Sequence, residues 1–497
     1  MNLREKAVNG LVWSVIQKWG RAAISTVAFI ALARLLPPEA FGLVALATVV
    51  TAFIEILLDQ GFSAAIVQRT DLEPEHLDTA FWISVLIGLL LTLGAIAASE
   101  LAAAFFNEPE LAPVIRWLSL SFIFVALSST QTAILQRDLK FKSLAARSTA
   151  AALVGGVVGV GMAFAGFGVW SLVGQNLVRA LVGVIVLWRA SNWRPGLKVS
   201  KKHYRELFTF GASVTGTNLL NTLTRRSDDF LIGYFLGPTL LGYYTVGYRL
   251  LLVTMRLVTG IVNSVAFPTF SRIQQNRTRT RRAFYEVTQY TSLLAFPVFI
   301  GLAVLAPELV TALFGEQWAP SIPIMQILAL IGILLSVLAF NGSVMRASGK
   351  PSWQFGIMLL TAVCSVIGFL IAVRWGIVAV AASFVIVGYL LAPLSYVAVR
   401  KLIQIDFRTY LGQFVAPLSA SLIMAAVILG LKSVLGHQAL NLFLQLSIYV
   451  TAGVLSYLLV IVLTARPLSR QVLAFTTIAF PSWKLKMNRY IRLLGGQ

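Results

Sequence analysis

Long apolar runs separated by short polar segments recur along almost the whole chain. A run of about 20 predominantly apolar residues is long enough for a helix to cross the hydrocarbon core of a bilayer. The pattern therefore predicts an all-α, polytopic membrane protein with about 14 transmembrane helices. The predicted spans are 11–36, 41–66, 79–105, 111–135, 143–166, 168–189, 208–236, 240–268, 284–306, 320–345, 353–374, 376–399, 411–435 and 440–464.

Basic residues are concentrated in the terminal segments and in every second loop, above all in 189–205 and 272–282. The intervening loops hold almost no basic residues but contain Glu39, Glu108, Glu110, Glu308 and Glu316. Because lysine and arginine are enriched in cytoplasmic loops, we expect both termini to be cytoplasmic. The apolar run 22–33 resembles a signal peptide, but the internal repeat described below requires it as the first span.

Polar and charged residues recur at helical spacing inside four of the predicted spans. A charge at the centre of an isolated membrane helix costs about 2.5 to 3.5 kcal/mol, so such stripes must face protein or water. They predict a charged, hydrated interior shared by several helices. The stripes are Ser14, Lys18, Arg21 and Ser25; Thr48, Thr51, Glu55 and Asp59; Asn218, Thr222, Arg225 and Asp229; and Thr245, Arg249, Arg256 and Asn263.

The composition excludes several classes of protein. Residues are 58% hydrophobic and 12% charged, with a mean hydropathy of +0.82, whereas charged residues approach a quarter of an ordinary soluble domain. The net charge of +21 is scattered among loops, which reflects topology and not nucleic-acid binding. The single cysteine and the three histidines include no pair at ligand spacing, so we expect neither a metal site nor another cofactor. No P-loop motif is present, and the glycines at 155, 156, 159 and 161 predict close helix packing.

Short motifs recur at an offset of about 200 residues, as in Leu36–Gly42 and Leu236–Gly242. The nearly constant offset predicts two six-helix lobes, 1–200 and 201–400, related by a pseudo-twofold axis along the membrane normal. Two additional transmembrane helices, within 401–465, would follow. The basic cytoplasmic tail 466–497 either lies on an anionic leaflet or is disordered.

Several motifs carry a resemblance to a known family. They are Ala33–Leu43, Asp59-Gln60-Gly61-Phe62, Leu135–Phe141, Asp229–Gly237, Leu241-Gly242-Tyr243-Tyr244 and Phe314–Trp318. In these motifs the chain resembles the polysaccharide transporter branch of the multidrug/oligosaccharidyl-lipid/polysaccharide (MOP) exporter superfamily, near the Wzx and WzxC-type flippases. The resemblance implies alternating access and export of an undecaprenyl-diphosphate-linked oligosaccharide across a bacterial inner membrane. Polysaccharide polymerase or assembly proteins are possible partners.

The charged stripes supply candidate site residues for such a substrate. A diphosphate requires cations and polar groups along its path, and the arginine fork suits phosphate. The substrate-binding candidates are Lys18, Arg21, Asn218, Arg225, Arg249 and Arg256, and the coupling or gating candidates are Glu55, Asp59, Asp228 and Asp229. No catalytic residue is expected.

Structural ion pairing is the alternative function of these charges: Lys18 or Arg21 with Glu55 or Asp59, and Arg225 or Arg226 with Asp228 or Asp229. Arg179 either lines the cavity or packs within its lobe. Other MOP-type exporters, of peptidoglycan precursors or drugs, remain alternatives to the polysaccharide flippase. A membrane polysaccharide polymerase or ligase is the enzymatic alternative, although the outer loops lack the basic or catalytic groups that it would need.

Overall fold

A computed structural model describes residues 20–59, 61–436 and 441–464, and these residues form helices joined by short connections. The helices are α1 (20–35), α2 (Pro38–Asp59), α3 (Phe62–Gln68), α4 (Pro74–Phe106), α5 (Leu111–Ser119), α6 (Ser121–Arg137), α7 (Phe141–Phe164), α8 (Val169–Ala190), α9 (Lys201–Ile273), α10 (Arg277–Val304), α11 (Ala306–Phe314), α12 (Ser321–Leu338), α13 (Asn341–Ala347), α14 (Pro351–Ala372), α15 (Ile377–Ile403), α16 (Phe407–Leu435) and α17 (Leu442–Thr464), with short 3₁₀ turns at Glu316–Trp318 and Val373–Trp375.

Eleven helical segments in the described part of the chain are long and apolar enough to cross a membrane. The prediction of an all-α, polytopic membrane protein is therefore confirmed. The count of fourteen spans stays a prediction. The remaining three predicted spans coincide with α1, of which only residues 20–35 are described, and with the two arms of α9.

Helix α9 contains two helical arms that meet at a break, and the predicted spans 208–236 and 240–268 correspond to these two arms. The helix is interrupted at Gly237, whose φ of 83° and ψ of 175° lie outside the helical region. Glycine adopts positive φ without the steric cost that a side chain adds. Pro238 follows, at the first turn of the second arm, where proline is well tolerated.

The chain divides into two compact units. The first comprises the described residues of Met1–Gly247 with Leu313–Ser321 and Val366–Val380, and the second comprises the described residues of the remainder. The division at Gly247 falls within α9 and not near residue 200. The predicted domains at 1–200, 201–400, 401–465 and 466–497 stay predictions, and the tail lies outside the described residues.

The repeated motifs meet each other within the first unit. A Cβ at Gly42 would lie 1.7 Å from the Pro238 carbonyl oxygen, and a Cβ at Gly242 would lie 2.0 Å from the Pro38 carbonyl oxygen. All four residues are buried. Each proline-containing turn therefore rests on the glycine of the other, and only glycine leaves room for this approach. We call these two interactions the reciprocal glycine contact.

A third family motif packs beside this contact. The fully buried Trp318 donates its indole N–H to the Ala33 carbonyl at 2.7 Å, and its ring meets Phe41 edge-on at 5.3 Å between centroids. Arg34 donates to the Leu313 carbonyl at 2.9 Å. Three of the segments that carry the family resemblance are thus parts of one packed cluster in the first unit.

In the second unit, α16 and α17 pack on α10. Tyr457 of α17 donates its hydroxyl to the Leu293 carbonyl at 2.7 Å, and Met424 of α16 lies in the same apolar cluster. Lys432 of α16 forms a 2.7 Å ion pair with Glu308 and also donates to the Val304 carbonyl. These two helices lie outside the predicted repeat, and both contact α10.

Candidate functional site

Small residues on α7 bring three helices of the first unit together. A Cβ at Gly155 would lie 2.9 Å from the Gln175 carbonyl oxygen of α8, and one at Gly156 would lie 3.1 Å from Ala28 of α1. Such small residues let helix backbones approach closely in a membrane. The prediction of close packing is confirmed for Gly155, Gly156 and Gly159, whereas Gly161 has nothing within 4 Å of a Cβ position.

Each of these three helices contributes an arginine to one cationic cluster, Arg21 from α1, Arg147 from α7 and Arg179 from α8. The three guanidinium groups lie within electrostatic range of one another. Arg21 and Arg179 are exposed and Arg147 is half-buried. No carboxylate in the described part of the chain lies within 4.0 Å of these groups. Like charges repel, so this arrangement favours a bound anion.

Glu55 of α2 links this cluster electrostatically to the first arm of α9. Its exposed carboxylate lies within range of both Arg179 and Arg226, although it forms no ion pair with a described residue. Glu55 of the predicted stripe on α2 therefore lies near cations. These two cations, and not the predicted Arg21, are the described residues that interact electrostatically with Glu55.

The acidic pair on α9 is held by local partners. Arg226 and Asp229 form an ion pair at 3.0 Å, which is one of the pairings that the sequence analysis allows. The buried Asp228 accepts hydrogen bonds from the Tyr244 hydroxyl and from the Asp229 backbone N–H, each at 2.9 Å. Asp228 thus ties the two arms of α9 together across the break at Gly237.

For the other predicted site residues, the structure describes the side chains of Arg249 and Arg256. Arg249 is half-buried and Arg256 exposed on the second arm of α9, and both belong to the second unit. Lys18 and the side chains of Asp59, Asn218 and Arg225 lie outside the described residues.

Sequence reasoning missed Arg147 and left Arg179 undecided. Arg147 lies near the start of the predicted span 143–166, close to a loop that is expected to carry basic residues. Helical spacing could have found it, since Arg147, Ala151 and Gly155 follow one another at intervals of four on a single face of α7. That face carries the glycine that packs on α8.

The fold also assembles a histidine pair that spacing along the chain does not reveal. The rings of His76 and His203 lie 4.1 Å apart between centroids, next to Glu73 and Glu206. His76 Nε2 lies 3.0 Å from Glu206 Oε2. This hydrogen bond, aided by the nearby positive charge of Arg69, holds the pKa of Glu206 below its usual value.

The sequence profile of the polysaccharide biosynthesis protein family matches residues 31–323, which is more than half of the chain. The chain belongs to this family. Among its relatives, the lipopolysaccharide biosynthesis protein WzxC of Escherichia coli (strain K12) is 29% identical over 88% of this chain and 90% of the relative. The succinoglycan biosynthesis transport protein ExoT of Rhizobium meliloti (strain 1021) is 30% identical over 93% of this chain and 94% of the relative. The resemblance to Wzx-type transporters is confirmed.

Solved structures show the same fold for this member of the polysaccharide biosynthesis protein family. The lipid II flippase MurJ, in an inward closed conformation, matches with a TM-score of 0.76 over 92% of this chain and 99% of that chain, at 16% identity. At that identity the likeness concerns the fold alone.

Proposed function

We propose that this protein is a flippase that moves an undecaprenyl-diphosphate-linked oligosaccharide across the bacterial inner membrane by alternating access, with both termini cytoplasmic. The observation that carries the proposal is the cationic cluster of Arg21, Arg147 and Arg179. The family and the printed names of the relatives, which describe polysaccharide biosynthesis and transport, support the substrate class. Transport needs no covalent chemistry, so we propose no enzymatic activity.

The cluster supplies positive charges that can pair with a diphosphate inside the membrane. A lipid-linked sugar diphosphate carries about two negative charges, and moving an isolated ion into a medium of low dielectric constant is prohibitive unless it is paired. Guanidinium groups donate in a planar fork that matches phosphate oxygens. Three of them on three different helices can hold a diphosphate while the sugar hydroxyls remain in water.

We assign the acidic residues to gating or coupling. The Arg226–Asp229 pair and the Asp228–Tyr244 hydrogen bond flank the break at Gly237, and Glu55 lies between this region and the cationic cluster. Further candidates along the substrate path are Asn218, Arg225, Arg249, Arg256 and Lys18, and Asp59 remains a further candidate for gating or coupling. Polymerase or assembly proteins that receive the oligosaccharide are proposed partners.

Binding to the purified, full-length protein tests the cluster. The probe is undecaprenyl diphosphate bearing a short oligosaccharide, compared with the same sugar on uncharged undecaprenol. Hydrogen bonds to charged groups contribute about 1.5 to 3 kcal/mol, so Arg147→Gln and Arg179→Gln should each weaken diphosphate binding by about tenfold or more. Binding of the uncharged analogue should not change.

Arg374→Gln is the matched control, because it removes the same charge from an exposed position at a predicted outer helix end of the first unit. Binding at the wild-type level by the Arg21, Arg147 and Arg179 variants would overturn the assignment of the cluster. Reconstituted vesicles separate the alternatives: transport of lipid II or of a drug cation, without transport of the oligosaccharide lipid, would identify another MOP-type exporter.

A further inference from the structure

Three metal-ligating side chains from two distant segments converge at the start of α4 and the start of α9. Glu73 precedes α4, His76 lies in its first turn and His203 lies in the first turn of α9. One donor atom from each residue lies within 4.8 Å of the other two. His76 is 1% exposed and His203 is 8% exposed, so both imidazoles are removed from water. We propose that Glu73, His76 and His203 bind a divalent transition-metal ion of the Zn²⁺ class.

The donor set fits that ion. Two imidazole nitrogens and one carboxylate oxygen form a common three-ligand set for zinc, which bonds at about 2.0 to 2.2 Å and accepts water as a fourth ligand. Tetrahedral bonds of that length separate the ligand atoms by roughly 3.3 to 3.6 Å. The donor atoms, which lie within 4.8 Å of one another, therefore need to move together by about 1 Å.

The hydrogen bonds around the site orient the ligands. His203 Nε2 lies 3.2 Å from a Glu73 carboxylate oxygen, so a metal ion can replace the proton that these two groups share. His203 Nδ1 is buried and has no hydrogen-bond partner among the described residues, which a metal ion bound at Nε2 would not change.

Glu206 orients the His76 ring by a hydrogen bond and would not itself bind the metal ion. Its oxygen accepts from His76 Nε2 at 3.0 Å, which leaves the other ring nitrogen as a lone-pair donor. That nitrogen accepts the Glu73 backbone N–H at 3.2 Å, a long bond that a metal ion can replace. Arg69 pairs with the same Glu206 oxygen at 2.7 Å and neutralises it. Glu206 is for that reason an orienting group and not a fourth ligand.

The metal would join two segments that hydrogen bonds already hold side by side. Asp78 accepts from the Gly196 N–H at 2.9 Å, Thr79 accepts from the Ser200 N–H at 3.1 Å, and Trp82 donates to the Gly196 carbonyl at 2.7 Å. The connection between α8 and α9 thus already lies along the beginning of α4. A bound ion at His203 would fix the end of that connection.

Metal binding to the full-length protein, purified with a tag that contains no histidine and stripped with a chelator, tests the inference. Titration with Zn²⁺ and with Co²⁺ should show one equivalent bound, with a higher thermal midpoint, and Mg²⁺ should not compete because it prefers oxygen ligands. His203→Gln and His76→Gln should weaken binding by about 100-fold or more, and Glu206→Gln by about 10- to 100-fold. His437→Gln, at the third histidine of the chain, is the matched control and should bind normally.

X-ray absorption of the Zn²⁺-loaded wild type gives a second measurement that does not depend on a variant folding. Two imidazole ligands with an oxygen-dominated remainder are expected. A wild-type protein that binds no equivalent of Zn²⁺ below about 10 μM, or a spectrum without histidine scattering, would overturn the inference. Equal affinity of the wild type and His203→Gln would do the same.

Discussion

Replacing Gly42 by alanine should strongly destabilise the first unit. The new Cβ would lie 1.7 Å from the Pro238 carbonyl oxygen, whereas non-bonded heavy atoms settle at roughly 3.5 Å, so the two turns would have to separate by about 1.5 to 2 Å. Backbone atoms on the proline side cannot swing aside as a flexible side chain could. Overpacking of this kind costs about 1 to 3 kcal/mol, and we expect the upper part of that range.

Alanine also favours the helix, which offsets part of this cost. Gly42 lies within α2, where alanine is better than glycine by roughly 0.5 to 1 kcal/mol. The net loss is therefore about 2 kcal/mol, which corresponds to a thermal midpoint lower by about 4 to 8 °C. The assay is the fraction of purified protein that keeps its size-exclusion profile in detergent after heating.

Gly161→Ala provides the matched control, because Gly161 is also helical and nothing lies within 4 Å of its Cβ position. This variant should be as stable as the wild type or slightly more stable. The double variant Gly42→Ala with Gly242→Ala should cost less than the two single changes added, since separating the turns relieves both clashes. A Gly42→Ala protein as stable as Gly161→Ala would refute the reasoning.

Two ion pairs give further predictions. Lys432→Met should reduce the amount of folded protein because it leaves the half-buried Glu308 without its partner, at a cost below the about 3 to 5 kcal/mol typical of a fully buried pair, and Lys432→Met with Glu308→Gln should recover most of it. Recovery is measured by size-exclusion chromatography, and an equal loss in both proteins would contradict the pairing. Arg226→Gln with Asp229→Asn should likewise restore the abundance lost in Arg226→Gln alone. If lipid-linked intermediates still accumulate in cells with that double variant, the pair acts in transport; normal export would limit it to a structural role.

The fold class can be predicted from the sequence because the length of each apolar run and the basic residues in alternate loops are properties of short segments. The repeat at Leu36–Gly42 and Leu236–Gly242 also predicts that these turns are related, but their mutual contact depends on the folded first unit. The two arms of α9 are predictable in the same way, because their apolar runs are separated at Gly237, where the helix breaks.

The site was harder to predict because its partners come from distant helices. Arg226–Asp229 is a local pair, and sequence spacing includes it among the alternatives. Arg147 and Arg179 come near each other because the glycines of α7 let α8 approach closely. The spacing of polar residues along a single helix does not show which helices pack together. His76 and His203 are still farther apart along the chain.

The reciprocal glycine contact joins two turns of one chain, so each turn can change without the other. In a homodimer, a two-fold axis makes one surface touch its own copy, so each contact occurs twice and a single mutation alters both. Here the two copies are encoded separately, and only one of them changes when Gly42 or Gly242 is replaced. The two turns accordingly differ around a shared glycine, with Glu39 in one and Thr239 in the other. Two identical halves could not have acquired that difference.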